Sequence, residues 1–359
     1  MASHRWLLRS ALGLAVALLA AGVPAKQQDV ELQVPFRAQI DMAHMLRSDP
    51  SYRSLTSTSN PHWMARIQDG TSLAAMSIPG THESLAITGT DFAECQEDWG
   101  KSAATLMTQL YAGIRAIDIR LRVERNNSLV VHHGAVYQNA NLDDVLGVLV
   151  KFLASNPSET VLLRLKQECT GEFGSCTDVP DQNPFTDILD TYFARYSKAF
   201  WTPSIAPWTA PELPTLGVVR GRVVLMVLNG PHGGRYNAYG LAQFADWNDG
   251  NSTYVQDNYN VPSIGAIPTK RDQVRRFLDM YNSPSGNSNT LYVNFCSGAS
   301  AFALPYQVAG GIFAIQGVNP FLLIYLGQTS NGITKRTSIV MMDFPGGALI
   351  EKILSFNPR

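Results

Sequence analysis

The chain has 359 residues, 45% of them hydrophobic and only 16% charged, with a formal net charge of -1. That is enough apolar material for a sizeable core, and it lacks the low-hydrophobicity, high-charge signature of a disordered chain. A charge balance this close to neutral excludes a basic footprint for nucleic acid and a polybasic membrane anchor, so any membrane contact has to be apolar or specific for a head group.

His4, Arg5 and Arg9 form a short positive region ahead of an apolar run from Ala11 to Val23, and Val23-Pro24-Ala25 offers small residues for cleavage. The run falls short of the roughly 20 residues that a membrane span needs. Residues 1–25 therefore read as a secretory signal peptide and the mature protein as secreted. The end of the chain, Phe356-Asn357-Pro358-Arg359, lacks the apolar tail of a lipid-anchor signal. Residues 26–65 read as a polar lead segment, Ser-rich between Ser48 and Asn60, and residues 66–359 as one domain. In an exported chain the four cysteines suggest two disulfides, with three connectivities open. Cys169 and Cys176 flank a short Gly- and Ser-containing loop and are paired on that ground, which leaves Cys95 with Cys296. The spacing does not suit a zinc knuckle. Asn126-Asn127-Ser128 and Asn251-Ser252-Thr253 are glycosylation sequons in a eukaryotic host.

Short apolar strands then alternate with helical patterns. Ser72 to Ile78 reads as a buried strand, Thr105 to Ile114 as a helix closing on Gly113, and Ala116 to Arg120 as a second strand. Arg120 to His133 shows apolar alternation on both sides of Asn126-Asn127, which predicts a β-hairpin that delivers His132 and His133 near Asp118 and Arg120. Asn141 caps a helix with acids in its first turn, and Asn156-Pro157 stops it. Further strands are expected at Thr160–Lys166, Arg222–Leu228, Thr253–Val255, Thr290–Phe295 and Ser338–Met342, with helices including Thr269–Met280 and Gly347–Phe356. Strand alternating with helix over about 280 residues predicts an α/β fold, an irregular or incompletely closed (β/α) TIM-type barrel. A doubly wound open sheet is the alternative, but no Gly-rich dinucleotide turn follows the first strand.

Polar clusters fall at or just beyond the C-terminal ends of these strands. They are Pro79-Gly80-Thr81-His82-Glu83-Ser84, Asp118-Ile119-Arg120, His132-His133-Gly134, Lys166-Gln167-Glu168, Asp257-Asn258-Tyr259 and Asp343. Taken singly, each has an ordinary explanation as a solvated loop or a structural ion pair. Strand ends of a barrel converge on one mouth, however, and six clusters gathered there make an active site.

With these residues in view, the sequence resembles the phosphatidylinositol-specific phospholipases C, in particular the small bacterial type built around the catalytic X domain. Ile78-Pro-Gly-Thr-His-Glu-Ser84, Asp118-Ile-Arg120, Val131-His-His-Gly134 and Asn156-Pro-Ser-Glu-Thr160 leading to Leu165-Lys166 carry the likeness. From Asp178 onward it is looser, anchored by Val255-Gln-Asp-Asn-Tyr259 and Met342-Asp343. The resemblance implies cleavage of phosphatidylinositol, or of a glycosylated relative, in two steps through a cyclic inositol phosphate. His82 takes the position of the general base, His133 that of the general acid, and Asp343 that of the carboxylate orienting His82. Glu83 stands where the family usually has Asp, as partner of His133. Arg120 stands where calcium-dependent members carry a carboxylate, which implies metal-free catalysis with no cofactor. Asp118 bridges toward the inositol hydroxyl, and Lys166, Asp257 and Tyr259 match inositol-binding positions. Leu228-Asn229 stands where bacterial relatives tend to carry an inositol-binding arginine.

The expected partner is an inositol phospholipid at a membrane surface, met by a monomer with no role for nucleic acid. Trp99 and Phe302 are candidate apolar anchors. Two other readings compete: a glycerophosphodiester phosphodiesterase, which generally needs a divalent cation that Arg120 argues against, and a catalytically silent lipid- or glycan-binding barrel, which needs no general acid.

Overall fold

A computed structural model of the chain describes residues 51–55, 58–96, 102–168, 177–207, 211–231, 235–330 and 332–358. The signal-peptide region, Trp99 and the Cys169/Cys176 pair lie outside the described residues.

Seven parallel strands form the frame: β1 (Ser77–Thr81), β2 (Ala116–Glu124), β5 (Val161–Gln167), β6 (Val223–Asn229), β7 (Val255–Gln256), β8 (Val293–Phe295) and β11 (Ser338–Met342). They neighbour one another in chain order, β1 to β2 to β5 to β6 and β7 to β8 to β11, and β11 returns to β1. Among the described residues β6 and β7 share no ladder, so the curled sheet is an irregular barrel with a seam between these two strands. The helices that cover it are α1 (Ala104–Ala112), α2 (Leu142–Ser155), α3 (Phe185–Arg195), α4 (Leu216–Val219), α5 (Ile267–Asn282), α6 (Pro305–Gly310), α7 (Val318–Thr329) and α8 (Gly347–Leu354). At the seam the chain runs instead through 3₁₀ turns, including Tyr236–Ala238 and Ala242–Phe244.

A strand covered on both faces reads as a continuous apolar run, and Val223-Val-Leu-Met-Val-Leu-Asn229 is buried at every position. The closing ladder pairs Ser77 with Ser338 through to Thr81 with Met342. Gly80 is required there: a Cβ would lie 2.6 Å from Met341 Sδ and 2.8 Å from Ala116 Cβ. Leu163, Val224, Val293 and Ile339 are fully buried in the core. Leu55 and Met64, from the lead segment, belong to the same core.

The hairpin expected over Arg120 to His133 is present. β2 runs on past Arg120 to Glu124 and pairs antiparallel with β3 (Ser128–His133), and the tip holds Asn126 and Asn127 at φ of 61° and 51°. A further strand, β4 (Val136–Asn141), pairs with β3 and was not foreseen. Asn141 then caps α2 in a reciprocal box with Asp144.

The first strand begins later than its expected start at Ser72. Ser72 accepts a hydrogen bond from the Ala74 amide and opens a 3₁₀ turn, Leu73–Ala75. Ser72 there forms an isolated antiparallel bridge with Thr215 rather than a ladder, and Leu73 and Ala74 are buried. β7 and β8 are likewise shorter than the expected Thr253–Val255 and Thr290–Phe295. Among the described residues no helix is long and apolar enough to cross a membrane.

Candidate active site

β1 and β11, neighbours in register, end side by side. His82 follows β1 and Asp343 follows β11, and the ladder brings His82 Nδ1 to 2.9 Å from Asp343 Oδ1. A carboxylate only accepts, so the ring proton sits on Nδ1 and Nε2 keeps its lone pair. Arg120 Nη2 donates to that nitrogen at 3.0 Å. Burial opposes a charge on the ring, but Asp343 outweighs it and sets His82 above the ordinary histidine value. Burial also pushes the Asp343 carboxyl up, against the opposing pull of His82. Asn319 holds the Asp343 carbonyl from α7, at 2.9 Å.

Glu83 lies next to His82 in a left-handed backbone conformation, φ 41°, an unfavourable state for a residue with a side chain. The turn folds its carboxylate between two cations. Oε2 lies 3.0 Å from His133 Nε2, and Oε1 pairs with Arg120 Nη1. Burial works against this charge, yet Arg120 and His133 hold Glu83 well below the usual carboxylate range. In return, although burial opposes it, Glu83 raises His133 to about 9. His133 Nδ1 donates to the Ala93 carbonyl at 2.6 Å, so both ring nitrogens carry protons near neutral pH. The longer side chain of glutamate thus reaches His133 Nε2.

Arg120 also approaches Asp118 Oδ2 at 3.5 Å and Glu168 Oε2 at 3.7 Å. Glu168 accepts from the Gly134 amide, which ties β5 to the end of the hairpin. Around this centre a pocket of about 400 Å³ is lined by His82, Glu83, Arg120, His133, Gly134, Lys166, Glu168, Asp249, Gly250, Asp257 and Tyr259. The structure therefore gathers His82, Glu83, Arg120, His133, Lys166, Asp257 and Tyr259 on one cavity, with Asp118 and Asp343 behind it. The Tyr259 ring lies 5.6 Å from that of His82. His132, by contrast, turns from the pocket toward Tyr137.

Several participants escaped sequence reasoning. Arg164 is fully buried and contacts Asp118, Asn229 and Asp249. A charged residue two positions before Lys166, on the same face of an apolar strand, was a usable signal. Asp249, at φ 115°, reaches Lys166 Nζ at 2.9 Å from the seam and had no such signal. Leu228 is buried in the apolar core, so the neighbouring Asn229 is the residue that reaches the site network.

The expected Cys95–Cys296 bridge is corrected: both are free, buried thiols. Cys95 Sγ is directed at the two histidine–carboxylate pairs, within 4.8 Å of ligand atoms of His82 and Asp343 and of Glu83 and His133. Cys296 stands at the end of β8, where its amide donates to the Met341 carbonyl. The two sets of possible metal ligands, His82/Cys95/Asp343 and Glu83/Cys95/His133, share this sulfur. Their chemistry suits a thiophilic ion, whereas calcium prefers a shell of oxygens.

A family profile described as phosphatidylinositol-specific phospholipase C, X domain, matches residues 76–228. The 1-phosphatidylinositol phosphodiesterase of Listeria monocytogenes serovar 1/2a (strain ATCC BAA-679 / EGD-e) is 30% identical over 302 residues, covering 84% of this chain and 86% of that protein. The enzyme of the same name from Staphylococcus aureus (strain Newman) is 30% identical over 278 residues, covering 71% and 82%. The solved phosphatidylinositol-specific phospholipase C from Listeria monocytogenes superposes with a TM-score of 0.63 at 27% identity, covering 84% of this chain and all of that one. A Staphylococcus aureus structure gives 0.64 at 23% identity, a likeness of fold. The site motifs, the seamed barrel and the extent of these alignments agree, and this chain belongs to the phosphatidylinositol-specific phospholipase C family.

Proposed function

We propose that the protein is a secreted enzyme that cleaves phosphatidylinositol, or its glycosylated form, into diacylglycerol and a cyclic inositol phosphate. The observation that carries the reading is the pair of histidines on one pocket with opposite proton inventories. His82 carries its proton on Nδ1 and keeps Nε2 as an acceptor, met by Arg120, while His133 carries a proton on Nε2 against Glu83.

In the first step His82 Nε2 takes the proton of the inositol 2-hydroxyl and that oxygen bonds to phosphorus. The bond from phosphorus to the diacylglycerol oxygen breaks, and His133 Nε2 protonates the leaving oxygen. Asp343 supports the imidazolium formed at His82, as the orienting carboxylate does in other base–carboxylate pairs. Arg120 moves its donors onto the non-bridging oxygens, where negative charge builds. Asp118 holds Arg120 and faces the attacking hydroxyl, and Lys166, Asp257 and Tyr259 bind the ring. Water then opens the cyclic ester with the histidine roles exchanged.

No metal is required in this scheme. A calcium ion about 4 Å from the guanidinium would meet a repulsion of roughly 4 kcal/mol per unit charge at an effective dielectric of 20. Residues 1–25 direct export and are removed after Ala25. The mature protein works as a monomer on the bilayer, touching it through Phe302, which is 72% exposed in the loop after β8.

Incubation of the purified protein with phosphatidylinositol vesicles, followed by phosphorus NMR, tests the reading. A cyclic phosphodiester resonance is expected before any monoester. Release of a monoester alone, or no turnover, overturns it.

A further inference from the structure

The proposed function leaves unused a buried cation that touches the carboxylates around the pocket. Arg164 sits in the middle of β5, its side chain fully enclosed, with its guanidinium flanked by Trp247 at 4.8 Å and Phe295 at 5.7 Å. Its donors fan out to three elements. Nη1 donates to Asp118 Oδ2 at 3.1 Å, Nε to Asn229 Oδ1 at 2.8 Å, and Nη2 to Asp249 Oδ1 at 2.9 Å. Asp118 Oδ2 is also the oxygen nearest Arg120, and Asp249 uses its other oxygen on Lys166. One guanidinium therefore joins the carboxylate behind the phosphate-binding arginine to the carboxylate that sets the ring-binding lysine. It does so at the edge of the seam, where among the described residues no ladder joins β6 to β7.

We infer that Arg164 is a positioning residue for the phosphodiesterase reaction: it holds Asp118 behind Arg120 and fixes Asp249 on Lys166, so that the chemical and head-group halves of the pocket keep one register. The inference rests on the proposed function. A planar fork suits this task because three acceptors in different directions are met by one rigid group. Asp118 is enclosed by Arg164 from β5, Arg120 from its own strand, and His82 and Glu83 from the loop after β1. Burial opposes its charge and Glu83 adds to that opposition, whereas Arg164 leads the groups that hold its carboxyl below the ordinary value. Without Arg164 this buried acid takes up a proton at higher pH, and Arg120 loses one of its three carboxylate partners.

The test compares Arg164→Gln and Arg164→Lys with the wild-type enzyme on a soluble inositol phosphodiester, reading kcat, KM, the pH profile and Tm. Arg164→Gln is expected to lower kcat about 10²-fold, the scale that a misplacement of about 1 Å can cost. It should also raise KM and move the acid limb of kcat/KM upward. Arg164→Lys keeps the charge but not the fork, so it should leave the acid limb in place, lose about 10-fold in kcat and still raise KM. If Arg164→Gln does not fold, Arg164→Lys decides alone. Folded variants with kcat, KM and acid limb within twofold of wild type overturn the inference. An inactive wild-type enzyme would overturn the proposed function instead.

Discussion

Two arginines five residues apart on one run of chain end in opposite fates. Arg115 precedes β2 at the bottom of the barrel and is fully buried against Phe152. Its donors reach Glu159 and the carbonyls of Leu110, Ile114, Asn60 and Pro61. Arg120 lies further along the strand, where β2 leaves the parallel barrel for the hairpin, and its donors point at a pocket. The bottom network is closed by protein atoms alone. The top network ends on a histidine lone pair and on carboxylates that face the cavity. The same residue type thus locks the fold where every partner is internal, and at the top it lines a cavity beside His82, Glu83 and Glu168. This matches the division in (β/α) barrels between a stability face and a catalytic face.

The sharpest separation comes from the histidines. His82→Ala and His133→Ala should each lose about 10²–10⁴-fold in kcat, the usual contribution of general base or acid assistance. Tm should stay near the wild-type value, and a variant that keeps normal turnover removes that histidine from the mechanism.

Next come the arginine networks themselves. Arg120→Ala should cost about 10²–10³-fold in kcat, as expected for a donor aimed at developing charge. Glu159→Gln, which strips the partner from a buried cation, should instead cost about 3–5 kcal/mol of stability by urea unfolding. Its folded fraction should turn over normally. Equal effects of both changes on kcat would erase the distinction between the two faces.

A smaller effect concerns the proton on His133. Its value is raised from 6.5 to about 9, because Glu83 outweighs burial. Stability from this pair is therefore fully present below about 6.5 and is lost as pH rises through about 9. Activity should fall over the same alkaline range, as the acid loses its proton. Glu83→Gln should bring the alkaline limb of kcat/KM down toward the ordinary histidine value, and an unmoved limb would separate Glu83 from the acid. Phe302→Ser should weaken vesicle sedimentation several-fold while leaving hydrolysis of a soluble phosphodiester unchanged. Treatment with EDTA and addition of calcium should leave kcat unaltered; a strict calcium requirement would remove Arg120 as the cation of the reaction.

Much of the site was legible in sequence because strand ends announce themselves. Asp343 directly follows the apolar run Ile339–Met342, His82 lies four residues beyond Ile78 at the end of the first one, and the alternation around Asn126-Asn127 placed His133 near Arg120. The segment Asn156–Thr160, noticed as a motif, proved to hold Glu159 for Arg115 and so belongs to the floor. The Cys95–Cys296 pairing fails because an even count says nothing about which way each sulfur faces.

Local order was thus determined by the sequence itself: the strands of the parallel wall, the hairpin, the capped helix α2 and the residue types offered at each strand end. These depend on periodicity and on neighbours a few residues apart, which a linear reading contains. Tertiary structure alone decided the seam between β6 and β7, the placing of Asp249 on Lys166 and Arg164, and the closing of β11 on β1 that joins Asp343 to His82 across 261 residues. Those pairings depend on the curvature of the whole sheet and on close approach at Gly80, and no window of sequence carries that information.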